Sequence, residues 1–226
     1  APLFLRPFLW LDVAKIRFWE TYFWRRAKRV VAMSGADKIS MQKLVPRLAV
    51  DIVPNGIDPD YFLPKKKNQD IQRILYVGNF KWLQNREALD VLLTKLWPEI
   101  KKQVPTVKLW IVGMGMTSDI KNLATSDIEI TEGNLDIREA YCNSNLLLAP
   151  IQGPGGTRLK ILEAMASEVP VVTTKVGIEG LDVKDGRDVL VRETEEGLVR
   201  AAVRVLRDET LAKTLAKNAR EMVYKH

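Results

Sequence analysis

The fold is decided by residues 145–173, which read NLLLAPIQGPGGTRLKILEAMASEVPVVT. Two short apolar runs, Asn145 to Ala149 and Val169 to Thr173, are typical of buried strands. Between them, glycines precede a stretch with helical apolar spacing, which predicts a helix ending near Ser167. A strand, a glycine-rich loop, a helix and a second strand together indicate parallel strands of one sheet.

The same alternation continues on both sides of this unit. Further strands are predicted, with helices between them, at 74–77, 107–112, 128–131 and 189–191. Two helices are predicted to close the chain, near 195–207 and 209–224. Because each strand is a continuous apolar run, the pattern favours an α/β fold whose parallel sheet is covered by helices on both faces. Ligands of such sheets bind in the loops at the carboxyl ends of the strands. Here those loops are 78–85, 113–117, 131–136 and 150–158.

A stretch rich in proline and lysine, 58–70, interrupts this pattern and is typical of a solvated linker. It follows the turn sequence Pro54-Asn55-Gly56-Ile57-Asp58. We therefore divide the chain into residues 1–57 and 58–226, and we expect the second part to be the α/β domain. The first part contains two predicted strands, 29–33 and 50–53, with a helix between them that begins after Ser34.

The sequence predicts a helix over residues 11–29, with apolar residues on almost every side and an excess of basic residues. Eight of the 17 aromatic residues lie in the first 24 positions, and residues 1–29 hold five of the seven net positive charges. Two partners suit such a helix: protein that lies outside this chain, or an anionic membrane surface at the inner face of the membrane. The rest of the chain is close to charge balance, so its charge does not indicate a nucleic-acid partner.

The only cysteine is Cys142 and the only histidine is His226. Intramolecular disulfides are therefore excluded, which is typical of a reducing compartment such as the cytoplasm. A Ser-His-Asp triad, a Cys-His pair and a histidine-based metal site all require a histidine within the fold, and the last residue of the chain does not supply one. No apolar run reaches the length of about 18 residues that a membrane span requires.

The loop before the central helix predicts a phosphate site. Gly155 and Gly156 allow a ligand to approach the backbone closely. Free backbone N–H groups at the start of the helix point out of its N-terminus, where the helix dipole favours an anion. These N–H groups belong to Thr157, Arg158 and Leu159. The side chains of Arg158 and Lys160 add positive charge.

Glu163 lies at the edge of the buried stripe that this helix presents. Leu159, Leu162 and Ala166 form that stripe at helical spacing. A half-buried carboxylate normally has partners. Two alternatives fit Glu163: ribose hydroxyls, which would donate to it beyond the phosphates, or an ion pair with Lys160, three residues earlier.

The stretch Glu163-Ala164-Met165-Ala166, followed by Pro170-Val171-Val172, resembles the donor-site signature of a glycosyltransferase family. The family is that of the retaining GT-B enzymes of the family-4 type, the glycosyl transferases group 1. Four further stretches resemble it in order and spacing: 53–58, 74–78, 111–115 and 177–181. Together the motifs cover about residues 50 to 190, and the segment 10–50 resembles the end of the family's acceptor domain.

The resemblance implies that this chain is the C-terminal, donor-binding half of an enzyme with two Rossmann-like domains, each a doubly wound parallel sheet. The donor would be a nucleotide-diphosphate sugar, UDP- or GDP-linked. Its hexose would pass, with retention, to an unknown sugar, lipid or other acceptor, as in polysaccharide biosynthesis. Glu163 would hold the ribose, the N–H groups of 157–159 the diphosphate and sugar, and the loop 131–135 the base. The expected donor-binding residues are Gly78, Asn79, Lys81, Gly113, Gly133, Gly155, Gly156, Thr157, Arg158, Leu159, Lys160 and Glu163.

Three positions depart from the family's pattern. Gly155 stands where the first Glu of an E-x7-E motif is expected, and Asn79 and Asn85 stand near the family's diphosphate-binding Arg and Lys. Positive charge could come instead from Lys81, Arg86, Arg158 or Lys160. No metal and no cofactor are implied, since cations and the helix N-terminus would stabilise the departing diphosphate. The acceptor-side catalytic residues would lie outside this chain, which we expect to bind donor but not to transfer sugar alone.

Two other functions remain open at this stage. In a dinucleotide-dependent oxidoreductase, Gly113 and Gly115 would follow a strand and Glu132 would bind a ribose, although Ser118 replaces the third glycine. In a non-catalytic module, the donor-site fold would remain without its chemistry, which the three departures favour.

Overall fold

The computed structural model describes residues 6–62, 71–133, 136–153 and 159–225. The chain divides into two compact units, the first ending at Asn55 and the second beginning at Gly56. Within the described ranges, no helix is both long and apolar enough to cross a membrane.

The first unit contains two helices and a pair of parallel strands. Its elements are α1 (Arg6–Trp24), β1 (Val30–Ala32), α2 (Gly35–Leu44) and β2 (Val50–Ile52). Ser34 caps α2, because its hydroxyl oxygen accepts a hydrogen bond from the N–H of Asp37 at 3.1 Å. Val30, Ala32 and Val50 form a buried apolar cluster in this unit.

Helix α1 occupies a different range from the one predicted. The sequence predicts a helix over 11–29, whereas α1 begins at Arg6 and ends at Trp24. The N–H of Arg26 donates to the carbonyl of Phe23 at 3.0 Å, which closes a turn after the helix. The chain must leave the helical conformation there because Val30 already lies in β1.

The second unit is built on a six-stranded sheet in which all neighbouring strands are parallel. Its strands are β3 (Arg73–Asn79), β4 (Lys108–Met114), β5 (Ile128–Glu132), β6 (Leu146–Ala149), β7 (Val171–Thr173) and β8 (Leu190–Val191). Its helices are α3 (Leu83–Val91), α4 (Trp97–Gln103), α5 (Ser118–Lys121), α6 (Ile137–Cys142), α7 (Leu159–Ala166), α8 (Glu195–Arg207) and α9 (Glu209–Lys225).

The strand order is β5-β4-β3-β6-β7-β8. The chain runs outward from β3 to β5, returns to the other side of β3, and then runs outward from β6 to β8. This is the doubly wound, Rossmann-like order, so the predicted fold class is confirmed. The reversal leaves a crevice between the carboxyl ends of β3 and β6, the topological switch point at which such sheets bind ligands.

Helices cover both faces of this sheet. Ile74 and Tyr76 of β3 belong to an apolar cluster with residues of α3, α4 and α8. Leu75, which points to the opposite face, belongs to a second cluster with residues of α6, α7 and α9. Burial on both sides explains why strands such as β6 and β7 are continuous apolar runs in the sequence, whereas β5, at the edge of the sheet, alternates apolar and polar residues.

The helix that the sequence predicts between β3 and β4 is interrupted by a π-helical segment, Leu92–Leu96. We attribute the interruption to Pro98, which has no N–H to donate to the carbonyl of Thr94 and whose ring would clash with it. The N–H of Trp97 instead donates to the carbonyl of Leu92, five residues earlier. The wider turn keeps the apolar stripe facing the sheet.

Candidate functional site

The candidate site lies at the switch point, where the loop after β3 meets the loop after β6. A Cβ built on Gly153 would lie 3.6 Å from the Cβ of Gln84, so the described part of the second loop runs beside the first turn of α3. Helix α7 then begins at Leu159 and carries Lys160 and Glu163. The site therefore combines side chains of β3, α3 and α7.

Lys160 joins the two sides of the switch point. Its Nζ donates to Oδ1 of Asn85 at 2.9 Å and lies 5.2 Å from the ring centre of Tyr76. Asn85 is itself fixed, because its Nδ2 donates to the carbonyl of Asn79 at 2.9 Å and its own carbonyl accepts from Tyr76 Oη at 2.7 Å. The ammonium group is thus held over an aromatic face by a neutral amide, a setting that favours a cation.

Glycines allow the strand ends to approach one another closely at this edge. A Cβ on Gly113 would lie 1.8 Å from the carbonyl oxygen of Gly78, and a Cβ on Gly78 would lie 3.2 Å from Cγ of Asn85. Gly115 has a φ of +71°, and a Cβ there would lie 2.6 Å from the side chain of Lys81. These contacts give Gly78 and Gly113 a packing role, and their predicted contact with a donor stays a prediction.

Glu163 is half-buried and holds a hydrogen bond from another helix. Oη of Tyr141 donates to Oε2 of Glu163 at 2.7 Å. Burial raises the pKa of the Glu163 carboxyl above its ordinary value, while the hydrogen bond from Tyr141 and the charge of Lys160 both lower this pKa. The charge of Lys160 therefore acts on Glu163, while the Nζ of Lys160 donates to Asn85.

Burial raises the pKa of the Tyr141 phenol well above its ordinary value, and the nearby charge of Glu163 adds to this effect. Tyr141 consequently keeps its proton and remains a donor at any physiological pH.

Several predicted site residues lie outside the described residues: Gly155, Gly156, Thr157 and Arg158, together with Asn134 and Leu135 of the predicted base-binding loop. Gly133, the last described residue of that loop, has a φ of +92° with open space around it. Asn79 and Lys81 are both exposed, and Oδ1 of Asn79 accepts from the N–H of Lys81 at 3.1 Å. The side chain of Asn79 thus shapes its own turn.

Glu132, the ribose-binding acid of the oxidoreductase alternative, has other partners in the structure. Its Oε1 accepts from the N–H of Met116 at 2.7 Å, and its Oε2 pairs with Nζ of Lys121 at 2.6 Å. The hydrogen bond from Lys121, followed by that from Met116, lowers the pKa of Glu132 below its ordinary value. The helix after the glycines, α5, has only four residues. Glu132 therefore fixes the loop after β4.

Sequence reasoning missed the role of Tyr141 and of Tyr76. Both are fully buried tyrosines whose hydroxyls bond to site residues, at Glu163 and at the carbonyl of Asn85. Nothing local in the sequence distinguishes them from ordinary core aromatics. Within the part of the chain that the structure describes, no group of three or more His, Cys, Asp or Glu residues is placed to hold a metal ion.

Comparisons with known proteins agree with this architecture. A Klebsiella pneumoniae protein described as "Uncharacterized 44.6 kDa protein in cps region" is 26% identical over 159 residues, 65% of this chain and 40% of that protein. N-acetyl-alpha-D-glucosaminyl L-malate synthase of Bacillus anthracis is 27% identical over 196 residues, 79% of this chain and 50% of that protein. The chain thus spans about half the length, or less, of these relatives.

The crystal structure of Anabaena HepE in complex with UDP and glucose matches with a TM-score of 0.70 at 18% identity, covering 88% of this chain and 59% of that one. This likeness shows the fold. The family model described as Glycosyl transferases group 1 matches residues 71–208, more than half of the chain. The chain therefore belongs to the glycosyl transferases group 1 family, as the sequence motifs predicted.

Proposed function

We propose that this chain is the donor-binding part of a glycosyltransferase, and that it binds the nucleotide diphosphate of its sugar donor at the switch point between β3 and β6. One observation carries the proposal: α7 presents the cation Lys160 and the carboxylate Glu163 three residues apart at that edge. A diphosphate requires positive charge, and a ribose offers hydroxyl donors to a carboxylate. The two side chains therefore match two neighbouring parts of a nucleoside diphosphate.

Lys160 supplies the positive charge that Asn79 and Asn85 lack. Its Nζ is held at Oδ1 of Asn85, close to the position of the family's diphosphate-binding lysine. The amide oxygen of Asn85 orients the ammonium group and is itself uncharged, so this contact leaves the positive charge of Lys160 in place for a phosphate oxygen. Lys160 and the start of α7 would also stabilise the departing diphosphate, which makes a metal ion unnecessary.

Glu163 binds the ribose in this proposal. Tyr141 donates to Oε2, and a carboxylate has about four lone-pair sites, so capacity remains for ribose hydroxyls. The half-buried position excludes competing water and strengthens such bonds. The structure of HepE with UDP and glucose makes UDP the first nucleotide to test, and GDP the second. The transferred group would be a hexose, passed with retention to a sugar, lipid or other acceptor.

Calorimetry with UDP, GDP, ADP and NAD tests the proposal. We expect one of the diphosphates to bind and Glu163→Ala to weaken it by about tenfold, the cost of one hydrogen bond to a charged group. Glu99→Gln, on the exposed surface of α4, is the control and should leave the affinity unchanged. Binding of NAD in preference to every nucleoside diphosphate would favour the oxidoreductase. Absence of any nucleotide-sugar binding in the full-length protein would favour the non-catalytic module.

For the first unit, we propose that residues 1–57 belong to the acceptor domain and that the remainder of that domain covers α1. Trp10 is 74% exposed and Phe23 is 61% exposed, more than a folded monomer normally leaves open on one helix. We also propose that the reaction takes place in the cytoplasm, a reducing compartment that the single cysteine favours. The competing occupant is an anionic membrane surface. Vesicle co-sedimentation decides between them: we expect equal binding to phosphatidylcholine and phosphatidylglycerol vesicles, whereas binding that requires phosphatidylglycerol and is lost in Arg25→Glu would identify the membrane.

A further inference from the structure

Tyr141 is the buried group that most directly constrains Glu163. It lies in α6, its side chain is completely buried, and its Oη is 2.7 Å from Oε2 of Glu163. The same hydroxyl lies 3.3 Å from the carbonyl oxygen of Lys160. Of these two contacts, the one to the charged carboxylate of Glu163 is the shorter, so the hydroxyl proton is donated mainly to Glu163.

The position of this hydroxyl is fixed by its surroundings. The ring of Phe62 packs edge-on against Tyr141, with ring centroids 6.1 Å apart and planes at 75°. Helix α6 is capped by Asp136, whose side chain accepts from the N–H of Arg138 at 3.0 Å. A buried ring packed in this way does not turn freely, and its hydroxyl therefore restricts where the Glu163 carboxylate can point.

We propose that Tyr141 is a positioning residue for the donor: it holds Oε2 of Glu163 and thereby leaves Oε1 to accept from the ribose hydroxyls of a nucleoside diphosphate. The inference rests on the proposed function, because it requires that Glu163 binds the ribose. Tyr141 would contact no atom of the nucleotide-sugar donor and would act only through Glu163. A tyrosine that only fills the core would contribute to folding without affecting how ribose is recognised.

The hydroxyl also influences the protonation of Glu163. Among the described residues, the titratable groups facing its carboxyl are Tyr141 from α6 and Lys160 from α7, and both lower the pKa that burial raises. Removal of the Tyr141 hydroxyl should raise this pKa further. Ribose binding requires the ionised carboxylate. As the pH falls, the chain without the Tyr141 hydroxyl would therefore lose this binding at a higher pH than the unaltered chain does.

The test compares UDP with 2′,3′-dideoxy-UDP, or the same pair of guanosine nucleotides if GDP is the one that binds. In Tyr141→Phe we expect the affinity for the ribose nucleotide to fall about tenfold, and the affinity for the dideoxy analogue to stay unchanged. The midpoint of the pH dependence for the ribose nucleotide should move upward. Tyr224→Phe is the matched control, because it removes a hydroxyl–carboxylate bond of 2.6 Å, to Asp60, and should change neither affinity.

The outcomes separate the inference from the function on which it rests. If Glu163→Gln weakens only the ribose nucleotide but Tyr141→Phe leaves it unchanged, the positioning role is wrong and the ribose site stands. If Tyr141→Phe weakens both nucleotides equally, the hydroxyl maintains the fold and the inference is likewise overturned. If Glu163→Gln weakens neither nucleotide, the proposed ribose site itself fails.

Stability is checked by the melting temperature of each variant. Should Tyr141→Phe not fold, 3-fluorotyrosine at position 141 keeps the hydroxyl and makes it a stronger donor. We then expect a changed affinity for the ribose nucleotide alone, and an affinity equal to that of the unmodified chain would overturn the inference.

Discussion

The charge of Lys160 offers the most direct test of how the diphosphate is held. Lys160→Met removes the ammonium group and keeps most of the side-chain stem, so packing against Tyr76 is largely preserved. The Nζ lies 2.9 Å from Oδ1 of Asn85 and 5.2 Å from the Tyr76 ring centre, so its position in the free protein is already set. Little ordering is then required when a phosphate arrives.

The magnitude follows from Coulomb's law. Two unit charges about 4 Å apart at a protein surface attract by about 4 kcal/mol at an effective dielectric constant of about 20. Lys160 is only half-buried, so water and salt reduce this attraction, and about 1.5–3 kcal/mol is a reasonable expectation. Lys160→Met should therefore weaken UDP binding by about 10- to 100-fold.

Calorimetry with UDP, UMP and uridine locates the effect on the ligand. We expect the loss in Lys160→Met to be largest for UDP, smaller for UMP and absent for uridine. Asn85→Ala should weaken UDP binding less, because it removes the orientation of the ammonium and not its charge. The double variant should be no weaker than Lys160→Met alone, since Asn85 acts through Lys160.

Two results would refute this reasoning. An equal loss for UDP, UMP and uridine would show that Lys160 supports the fold of the site and not the phosphates. Additive effects in the double variant would show that Asn85 acts independently of Lys160. Lys95→Met, an exposed lysine of the π-helical segment, removes the same charge elsewhere and is expected to bind UDP as the unaltered chain does.

Two further predictions concern stability. Because burial raises the pKa of Glu163 in the folded chain, its protonated form stabilises the fold, and this contribution is lost as the pH rises through that pKa. Ligand-free Glu163→Gln should therefore melt at a higher temperature than the unaltered chain, by a margin that grows toward neutral pH. A margin that stays constant with pH in scanning fluorimetry would contradict this. Gly113→Ala should lower the free energy of unfolding by more than about 3 kcal/mol or prevent folding, because its Cβ would lie 1.8 Å from the carbonyl oxygen of Gly78. Gly56→Ala is the control, since no atom lies within 4 Å of the added Cβ. Equal denaturant midpoints for the two variants would argue against the clash.

The architecture could be predicted because it follows from local patterns. Short apolar runs, such as those at 74–77 and 146–149, give buried strands. The amphipathic spacing at 195–207 gives α8 with the bounds that the structure shows. The alternation of the two element types then leaves a parallel sheet as the simple solution. The interruption at Leu92–Leu96 was not predicted, although Pro98 marks it in the sequence.

The contacts that build the candidate site could not be predicted in the same way. Lys160 and Asn85 are 75 residues apart, and Tyr141 and Glu163 are 22 residues apart on different helices. Such pairs depend on how helices on two sides of the switch point are placed and on the rotamers they select. Spacing alone therefore left Glu163 with two alternatives, whereas the structure shows one carboxylate held by Tyr141 and influenced by Lys160 at the same time.

The departures at Asn79 and Asn85 become consistent when the charge is assigned to α7. Lys160 and Glu163 are three residues apart, which corresponds to a rise of about 4.5 Å along a helix. One rigid element can then present the cation for the diphosphate and the acceptor for the ribose. A second lysine at position 85 would place its ammonium near the Nζ of Lys160, which now lies 2.9 Å from the Asn85 amide oxygen.

This arrangement predicts a rescue that depends on background. Asn85→Lys alone restores the residue type that the family's pattern leads us to expect, yet it should weaken UDP binding, because two ammonium groups repel each other and lose the amide that orients Lys160. In the Lys160→Met background the same substitution should strengthen UDP binding, since the new ammonium replaces the missing one. Calorimetry of UDP binding to the unaltered chain, the two single variants and the double variant measures the effect of Asn85→Lys in both backgrounds. A gain from Asn85→Lys in both backgrounds would mean that positions 85 and 160 contribute separately, and that Lys160 has not taken over the role of the loop cation.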